Sequence, residues 1–189
     1  MRSILVALSL LCFSPNLFSQ EELMSKKELR KLAKEQKRAQ QLEIEKQKIA
    51  LTQYMVESHR FVLEADFVSD GRGNRMMVSS NINFVAVDSI NATLQIGTPY
   101  GIGWNGVGGI TVDGRVTKFE LRETESRNGK SYTIFTTIMS SIGIYDVTFQ
   151  ISPNGNTHAT VRSTRRGQLN YEGKLVPIEV SDVFKGSAF

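Results

Sequence analysis

The stretch Tyr145-Asp146-Val147-Thr148-Phe149-Gln150-Ile151 decides the fold class of this chain, because apolar and polar residues alternate strictly along it. Successive side chains of a β-strand point to opposite faces of a sheet, so the pattern predicts one apolar and one polar face. Similar stretches follow one another from residue 61 onward, separated by turn residues such as Asp113-Gly114. The predicted strands are 61–68, 76–80, 84–87, 92–96, 110–112, 116–123, 132–139, 144–151, 157–163 and 169–176.

No helical pattern interrupts these strands, so the sheet is expected to be antiparallel and joined by hairpins. We predict a mainly β (α+β) fold, an antiparallel meander of about eight or nine strands that forms a barrel or a sandwich. An outer-membrane barrel would show the same alternation with its apolar face outward. Ser187 and Lys185, at steps of two back from Phe189, break the apolar alternation expected of such a barrel's last strand.

Residues 21–60 differ in composition from the rest of the chain, since they contain no glycine or proline. Their Ala, Leu, Lys, Glu and Gln residues favour a long helix that precedes the sheet. We expect its C-terminal half to dock on the β domain through an apolar set that comprises Leu42, Ile44, Ile49, Leu51, Met55 and Val56. The predicted organisation is therefore a basic helical arm over 20–44 and one β-rich domain with its leading helix over 45–189.

The positive charge of the chain lies in this arm. Residues 21–60 hold ten basic and seven acidic residues, whereas residues 61–189 hold twelve of each. The cations that cluster in the arm are Lys26, Lys27, Arg30, Lys31, Lys34, Lys37 and Arg38. Two interpretations stay open: a helix kept in solution by its charges, or one that contacts an anionic membrane surface or another envelope component. Nucleic acid is not the expected partner, because no aromatic residues interleave with these cations.

The first nineteen residues are typical of a cleavable signal peptide. Arg2 precedes an apolar run from 4 to 13, which ends before Pro15 and is too short to cross a bilayer. Ser19 is the small residue expected before a cleavage site. We therefore predict export to the periplasm or outer envelope, or secretion, as a soluble protein.

Cys12, the only cysteine, would be lost with the signal peptide, so the mature chain would contain no disulfide and no thiol. A lipoprotein would need a small residue before this cysteine, and Leu11 is bulky. The sequence therefore argues against lipid attachment at this position.

A glycine-rich stretch from 97 to 109 has six glycines and contains a formal GxGxxG pattern. Nucleotide-binding folds need a helix after that pattern, but a predicted strand follows it here, so no nucleotide is expected. Tyr100 and Trp104 lie in this stretch and are candidate ligand-binding residues, although a plug that caps the core is the favoured interpretation of Trp104.

No catalytic residue, metal site or cofactor is expected. His59 and His158 are the only histidines and neither has a motif partner, while the pair Glu64 and Asp66 is typical of a solvated strand face. We therefore favour a non-catalytic binding or interaction module of the cell envelope over an enzyme. The alternatives are a hydrolase acting on envelope polymers and a structural envelope protein.

Five stretches in order resemble domain-of-unknown-function family 4251. They are 61–66, 80–85, 105–114, 173–177 and 181–186. The resemblance covers about residues 45–189 and implies an exported β-rich domain of Gram-negative bacteria without an assigned activity or known site residues. In that setting Asp88-Ser89-Ile90 resembles a short O-glycosylation signal, which makes Ser89 a candidate modification site.

Overall fold

The computed structural model describes residues 25–98, 105–127, 129–164 and 167–188. The chain divides into two compact units, residues 1–39 and 40–189. The elements in chain order are α1 (Lys26–Ser58), β1 (Arg60–Asp70), β2 (Arg75–Met77), β3 (Phe84–Asp88), β4 (Asn91–Ile96), β5 (Ile110–Ser126), β6 (Gly129–Ser140), β7 (Gly143–Ile151), β8 (Asn156–Ser163), β9 (Gln168–Val176) and a 3-10 turn, Ile178–Val180.

The predicted antiparallel meander is confirmed, and it closes into a barrel. Strands β3 to β8 each pair with the next strand along the chain, while β1 pairs with both β3 and β9. These eight strands form the barrel, and β2 adds a three-residue strand beside β1. Because a closed barrel has few free sheet edges, most strands find backbone hydrogen-bond partners on both sides.

Helix α1 begins and ends at residues that satisfy its terminal backbone groups. Lys27 N–H donates to Ser25 Oγ at 3.2 Å, and Ser25 N–H donates to Glu28 Oε2 at 2.9 Å. This reciprocal arrangement is a capping box. At the other end, His59 takes a φ of 55°, a left-handed conformation that turns the chain out of the helix and into β1.

The last turns of α1 pack against one end of the barrel. Thr52, Met55 and Val56 are buried there, and the two apolar residues join the barrel's core cluster. The predicted docking of the C-terminal half of the helix is thus confirmed, but the contact is narrower than expected. Leu42, Ile44 and Leu51 are exposed.

The apolar core fills the barrel interior, as the alternation in the sequence predicts. Phe61, Leu63 and Ala65 point inward along β1, and then a bulge at Asp66 shifts the alternation so that Val68 is the next core residue. Opposite the bulge, a Cβ atom on Gly173 would collide with the carbonyl oxygen of Glu64. The bulge bends β1, which helps the sheet to close.

One prediction about the strands was wrong. Residues 110–112 and 116–123 belong to a single strand, β5, and Asp113-Gly114 is not a turn. A Cβ atom on Gly114 would lie 2.6 Å from Cγ2 of Ile138 on the neighbouring strand. The glycine therefore allows close packing between strands, a role that looks identical to a turn signal in the sequence alone.

A second buried layer lies outside the barrel wall. Val62, Phe84, Gln95 and Thr111 are buried although they alternate with inward-facing residues of β1, β3, β4 and β5. The C-terminal segment 181–188, here called the strap, contacts this outer face through hydrogen bonds to Glu64, Gln95 and Asn81. Among the described residues, no helix combines the length and apolar character needed to cross a membrane.

Candidate functional site

The barrel has one filled end and one open end. The filled end receives α1, whereas at the opposite end a cavity of about 330 Å³ opens between strands β4, β5, β7, β8 and β9. The residues that line this cavity are Leu94, Ile96, Ile110, Val112, Tyr145, Val161, Ser163, Gly167, Gln168, Leu169 and Tyr171. Among the residues that the structure describes, the lining is mostly apolar and contains no carboxylate and no histidine.

Strand alternation accounts for how the lining residues come together. Leu94 and Ile96, or Val161 and Ser163, are two apart on one strand and point to the same side. Because the strands are antiparallel, the end of β4 lies beside the start of β5, and Ile96 pairs directly with Ile110. Inward positions near five strand ends therefore converge on one opening.

Two tyrosines contribute the aromatic part of the lining, and their hydroxyl groups differ. Tyr171 is fully buried, and its hydroxyl donates to the backbone oxygen of Gln95 at 3.4 Å. Burial raises the pKa of this phenol, so it stays neutral at any physiological pH. Tyr145 is half-buried, and its hydroxyl makes no hydrogen bond within the part of the chain that the structure describes.

The wall beside the cavity is held from outside by a buried polar network centred on Gln95. Its side-chain nitrogen donates to the backbone oxygens of Ile82 (3.1 Å) and Phe184 (2.8 Å). Its side-chain oxygen accepts from the Thr111 hydroxyl and from Gly186 N–H, both at 2.8 Å. The contacts with Thr111 and Gly186 are buried and the other two are partly buried, and buried hydrogen bonds are costly to lose.

Asn105 extends the network to the glycine-rich stretch. Its side-chain oxygen accepts from the N–H groups of Val107 and Gly109, and its side-chain nitrogen donates to Thr111. The backbone oxygen of Asn105 accepts from Ser187 N–H of the strap at 3.0 Å. One end of the glycine-rich stretch is thereby fixed to the outer wall.

The sequence-predicted ligand residues Tyr100 and Trp104 lie outside the described residues. Their stretch joins β4 to β5, and Ile96 and Ile110, at the ends of those strands, line the cavity. Ligand contact by Tyr100 and Trp104 therefore stays a prediction, and the lining residues themselves were not among the predicted site residues. Tyr145 was visible in the sequence only as one inward position of an alternating strand.

The predicted anionic-surface residues all lie in the first turns of α1. Lys26, Lys27, Arg30, Lys31, Lys34, Lys37 and Arg38 are exposed. None of them forms an ion pair within the described part of the chain, whereas Arg60, Arg75, Lys118 and Lys130 of the barrel strands and Lys185 of the strap do.

Ser89 is exposed at the β3–β4 hairpin tip with a φ of 55°. Its N–H donates to the backbone oxygen of His59 at 2.9 Å. The position is accessible, and glycosylation there stays a prediction that a glycan mass on the Ser89 peptide would test.

The remaining titratable residues singled out in the sequence have structural partners. The His59 ring stacks on Phe119 with centroids 3.9 Å apart. Nδ1 of His158 lies 3.9 Å from Glu172, a carboxylate that Arg75 also contacts, and Glu64 accepts the Ser181 hydroxyl at 2.6 Å. Within the described ranges, no group of three or more His, Cys, Asp or Glu side chains is placed to hold a metal ion.

Comparison with known proteins identifies the family. The model of the family described as "Domain of unknown function (DUF4251)" matches residues 43–175. The chain belongs to the DUF4251 family. It is similar to the crystal structure of a DUF4251 family protein from Bacteroides eggerthii DSM 20697, with 27% identity and a TM-score of 0.58 over 75% of this chain and 95% of that one. A search of curated proteins finds no match.

Three of the five stretches that resemble the DUF4251 family meet in the Gln95 network. The backbone oxygen of Ile82 in stretch 80–85 accepts from Gln95, Asn105 in stretch 105–114 donates to Thr111, and Gly186 N–H in stretch 181–186 donates to Gln95. Residues far apart in the sequence thus meet in one network, which attaches the strap to the barrel wall.

Proposed function

We propose that this DUF4251 protein is a non-catalytic binding module that takes up a small apolar molecule in the open end of its barrel. The observation that carries the proposal is the apolar cavity of about 330 Å³ at a strand-end opening, whose described lining residues include neither a carboxylate nor a histidine. Eight-stranded barrels are wide enough to hold one small ligand, and ligand sites are typically concave and mostly apolar.

The volume of the cavity limits the size of the molecule that it could hold. A sealed apolar cavity of about 150 Å³ accommodates benzene, so the cavity here corresponds to about a dozen carbon atoms. Removal of that apolar surface from water supplies the driving force, at roughly 25 cal/mol per Å². The hydrolase alternative lacks such support, since none of the described residues that line the cavity carries a carboxylate.

Naphthalene, an apolar ten-carbon probe, tests the proposal by methyl-resolved NMR of the isotopically labelled protein. We expect saturable shifts of the methyl resonances of Leu94, Ile110 and Val161, while those of Met55 and Val56 at the filled end stay in place. Absence of saturable shifts, or equal shifts at both ends, would contradict the proposal.

A cavity-filling variant provides the matched control. Val161→Phe places an aromatic ring into the cavity and should abolish naphthalene binding, whereas Val180→Phe, at a position that is 66% exposed, should leave binding unchanged. Equal binding by both variants would show that the probe occupies another place.

We also propose that the mature protein begins at Gln20 outside the cytoplasm and that its cationic helical segment, residues 26–38, contacts an anionic lipid surface. The support is the signal-like sequence of residues 1–19 together with seven exposed cations that no described carboxylate neutralises in an ion pair. Each basic residue near an anionic membrane contributes about 1 kcal/mol of attraction.

Vesicle sedimentation tests the lipid contact. Neutralising Lys27, Arg30, Lys31 and Lys34 to Gln should weaken binding to phosphatidylglycerol vesicles at low salt at least tenfold. Neutralising Lys118, Lys130 and Lys174 of the barrel is the control and should have little effect. Equal loss in both variants would refute a specific role of the helix, and an intact Met1 in the mass of the exported protein would refute cleavage.

A further inference from the structure

The cavity is mostly apolar, but one polar group at its lining has no hydrogen-bond partner among the described residues. Of the four polar side chains there, Gln168 accepts from Arg162 and donates to Asn170, and Tyr171 donates to the backbone of Gln95. Ser163 also has an interaction partner. The Tyr145 hydroxyl alone makes no hydrogen bond within the described residues.

Tyr145 is placed where a ligand would meet solvent. It lies near the start of β7, close to the turn between β6 and β7, and its ring is 3.9 Å from where a Cβ atom on Gly143 would lie. Tyr171 and Leu94, in contrast, are buried. A molecule in the cavity would therefore have its apolar body against the buried residues and its outer end beside Tyr145.

We infer that the ligand is amphipathic, with an apolar body of about a dozen carbon atoms and one hydroxyl or carbonyl oxygen that hydrogen-bonds the Tyr145 hydroxyl. This inference rests on the proposed binding function and adds the chemical class and the residue that selects for it. A phenol hydroxyl both donates and accepts, so alcohols and carbonyl compounds both qualify. A site built to hydrogen-bond a ligand oxygen discriminates against analogues without it.

The probe pair is naphthalene and 2-naphthol, which share the ten-carbon body and differ by one hydroxyl. Dissociation constants of both are measured by fluorescence titration for the wild type, for Tyr145→Phe and for the control Tyr54→Phe, at a helix position that is 64% exposed. We expect Tyr145→Phe to weaken 2-naphthol binding about fivefold and to leave naphthalene binding within twofold. Tyr54→Phe should change neither.

The outcomes separate the two proposals. If naphthalene binds the wild type and Tyr145→Phe weakens neither probe, or weakens both equally, the role of Tyr145 is refuted while the cavity stands as a binding site. If neither probe binds the wild type, the binding function itself fails. Naphthalene binding by Tyr145→Phe also shows that this variant is folded.

Discussion

The two ends of the barrel are stabilised by different interactions. The filled end is stabilised from inside by apolar residues, because Met55 and Val56 of α1 pack into a core with Phe61 and Phe149, whose rings meet edge to face at 5.3 Å. The open end is stabilised from outside by hydrogen bonds of the strap to Gln95 and its neighbours. A barrel can therefore contain a cavity when hydrogen bonds on its outer face hold the wall in place and side chains do not fill its interior.

The largest effect is expected at the filled end. Phe149→Ala should lower the free energy of unfolding by about 4 kcal/mol, because it removes a fully buried ring and leaves a cavity that the neighbours fill only in part. Chemical denaturation measures it, with Met139→Ala, at a 53% exposed position of β6, as the control. A loss below about 1 kcal/mol would contradict the description of this end as tightly packed.

A comparable loss is expected from the polar wall of the open end. Gln95→Leu keeps the volume but removes four hydrogen bonds, two buried and two partly buried. We expect the free energy of unfolding to fall by about 3 kcal/mol, because the groups that bonded Gln95 lose their partner. Hydrogen exchange of Gly186 N–H should accelerate in the same variant. The exposed Gln150→Leu is the matched control, and a similar loss in both would show that the network contributes nothing special.

Replacement of a buried valine by phenylalanine should change the stability of the fold in opposite directions at the two ends. Val56→Phe overpacks the filled end and should cost about 2 kcal/mol, whereas Val161→Phe fills the cavity and should stabilise the fold by about 1 kcal/mol. Both residues are buried valines, so the pair isolates the packing around them. If the denaturation midpoints of both variants moved in the same direction, the proposed difference in packing between the two ends would be contradicted.

The smallest effect depends on pH. Because burial raises the pKa of Tyr171, its phenol stays protonated in the folded protein, while a tyrosine in the unfolded chain ionises at about pH 10. Above that pH the unfolded state loses a proton first, so the stability present at lower pH declines as pH rises.

Tyr171→Phe should make this alkaline decline shallower by about 1 kcal/mol per pH unit, measured as denaturation free energies between pH 9 and pH 11. Tyr54→Phe, at an exposed position, should keep the wild-type slope. Equal slopes in all three proteins would show that the Tyr171 hydroxyl is not shielded from water.

Much of the fold was predictable, because hydrophobic alternation is a local signal. The inward set of β7, from Tyr145 to Ile151, follows directly from its sequence, and the hairpin at Asp88-Ser89-Ile90-Asn91 lies where the turn residues predict it. Gly114 was misinterpreted, since a glycine that permits close strand packing and one that makes a turn look the same in a sequence.

The candidate site was less predictable, because its residues share no motif. Leu94, Val112 and Tyr171 are separated along the chain and read as ordinary core positions, and they line a cavity only because their strand ends converge. The sequence did direct attention to the glycine-rich connection between β4 and β5, which begins and ends at the same opening.

By itself, the sequence of this DUF4251 protein determined a leading helix, a run of antiparallel strands and an apolar interior, because helix propensity and alternation act over a few neighbouring residues. Three features became visible only in the folded chain: β9 pairs with β1, the helix packs into one end of the barrel, and the strap is hydrogen-bonded to the outer wall near the other end. Those features depend on contacts between residues such as Gln95 and Gly186, which are distant in the chain and meet only when the barrel closes.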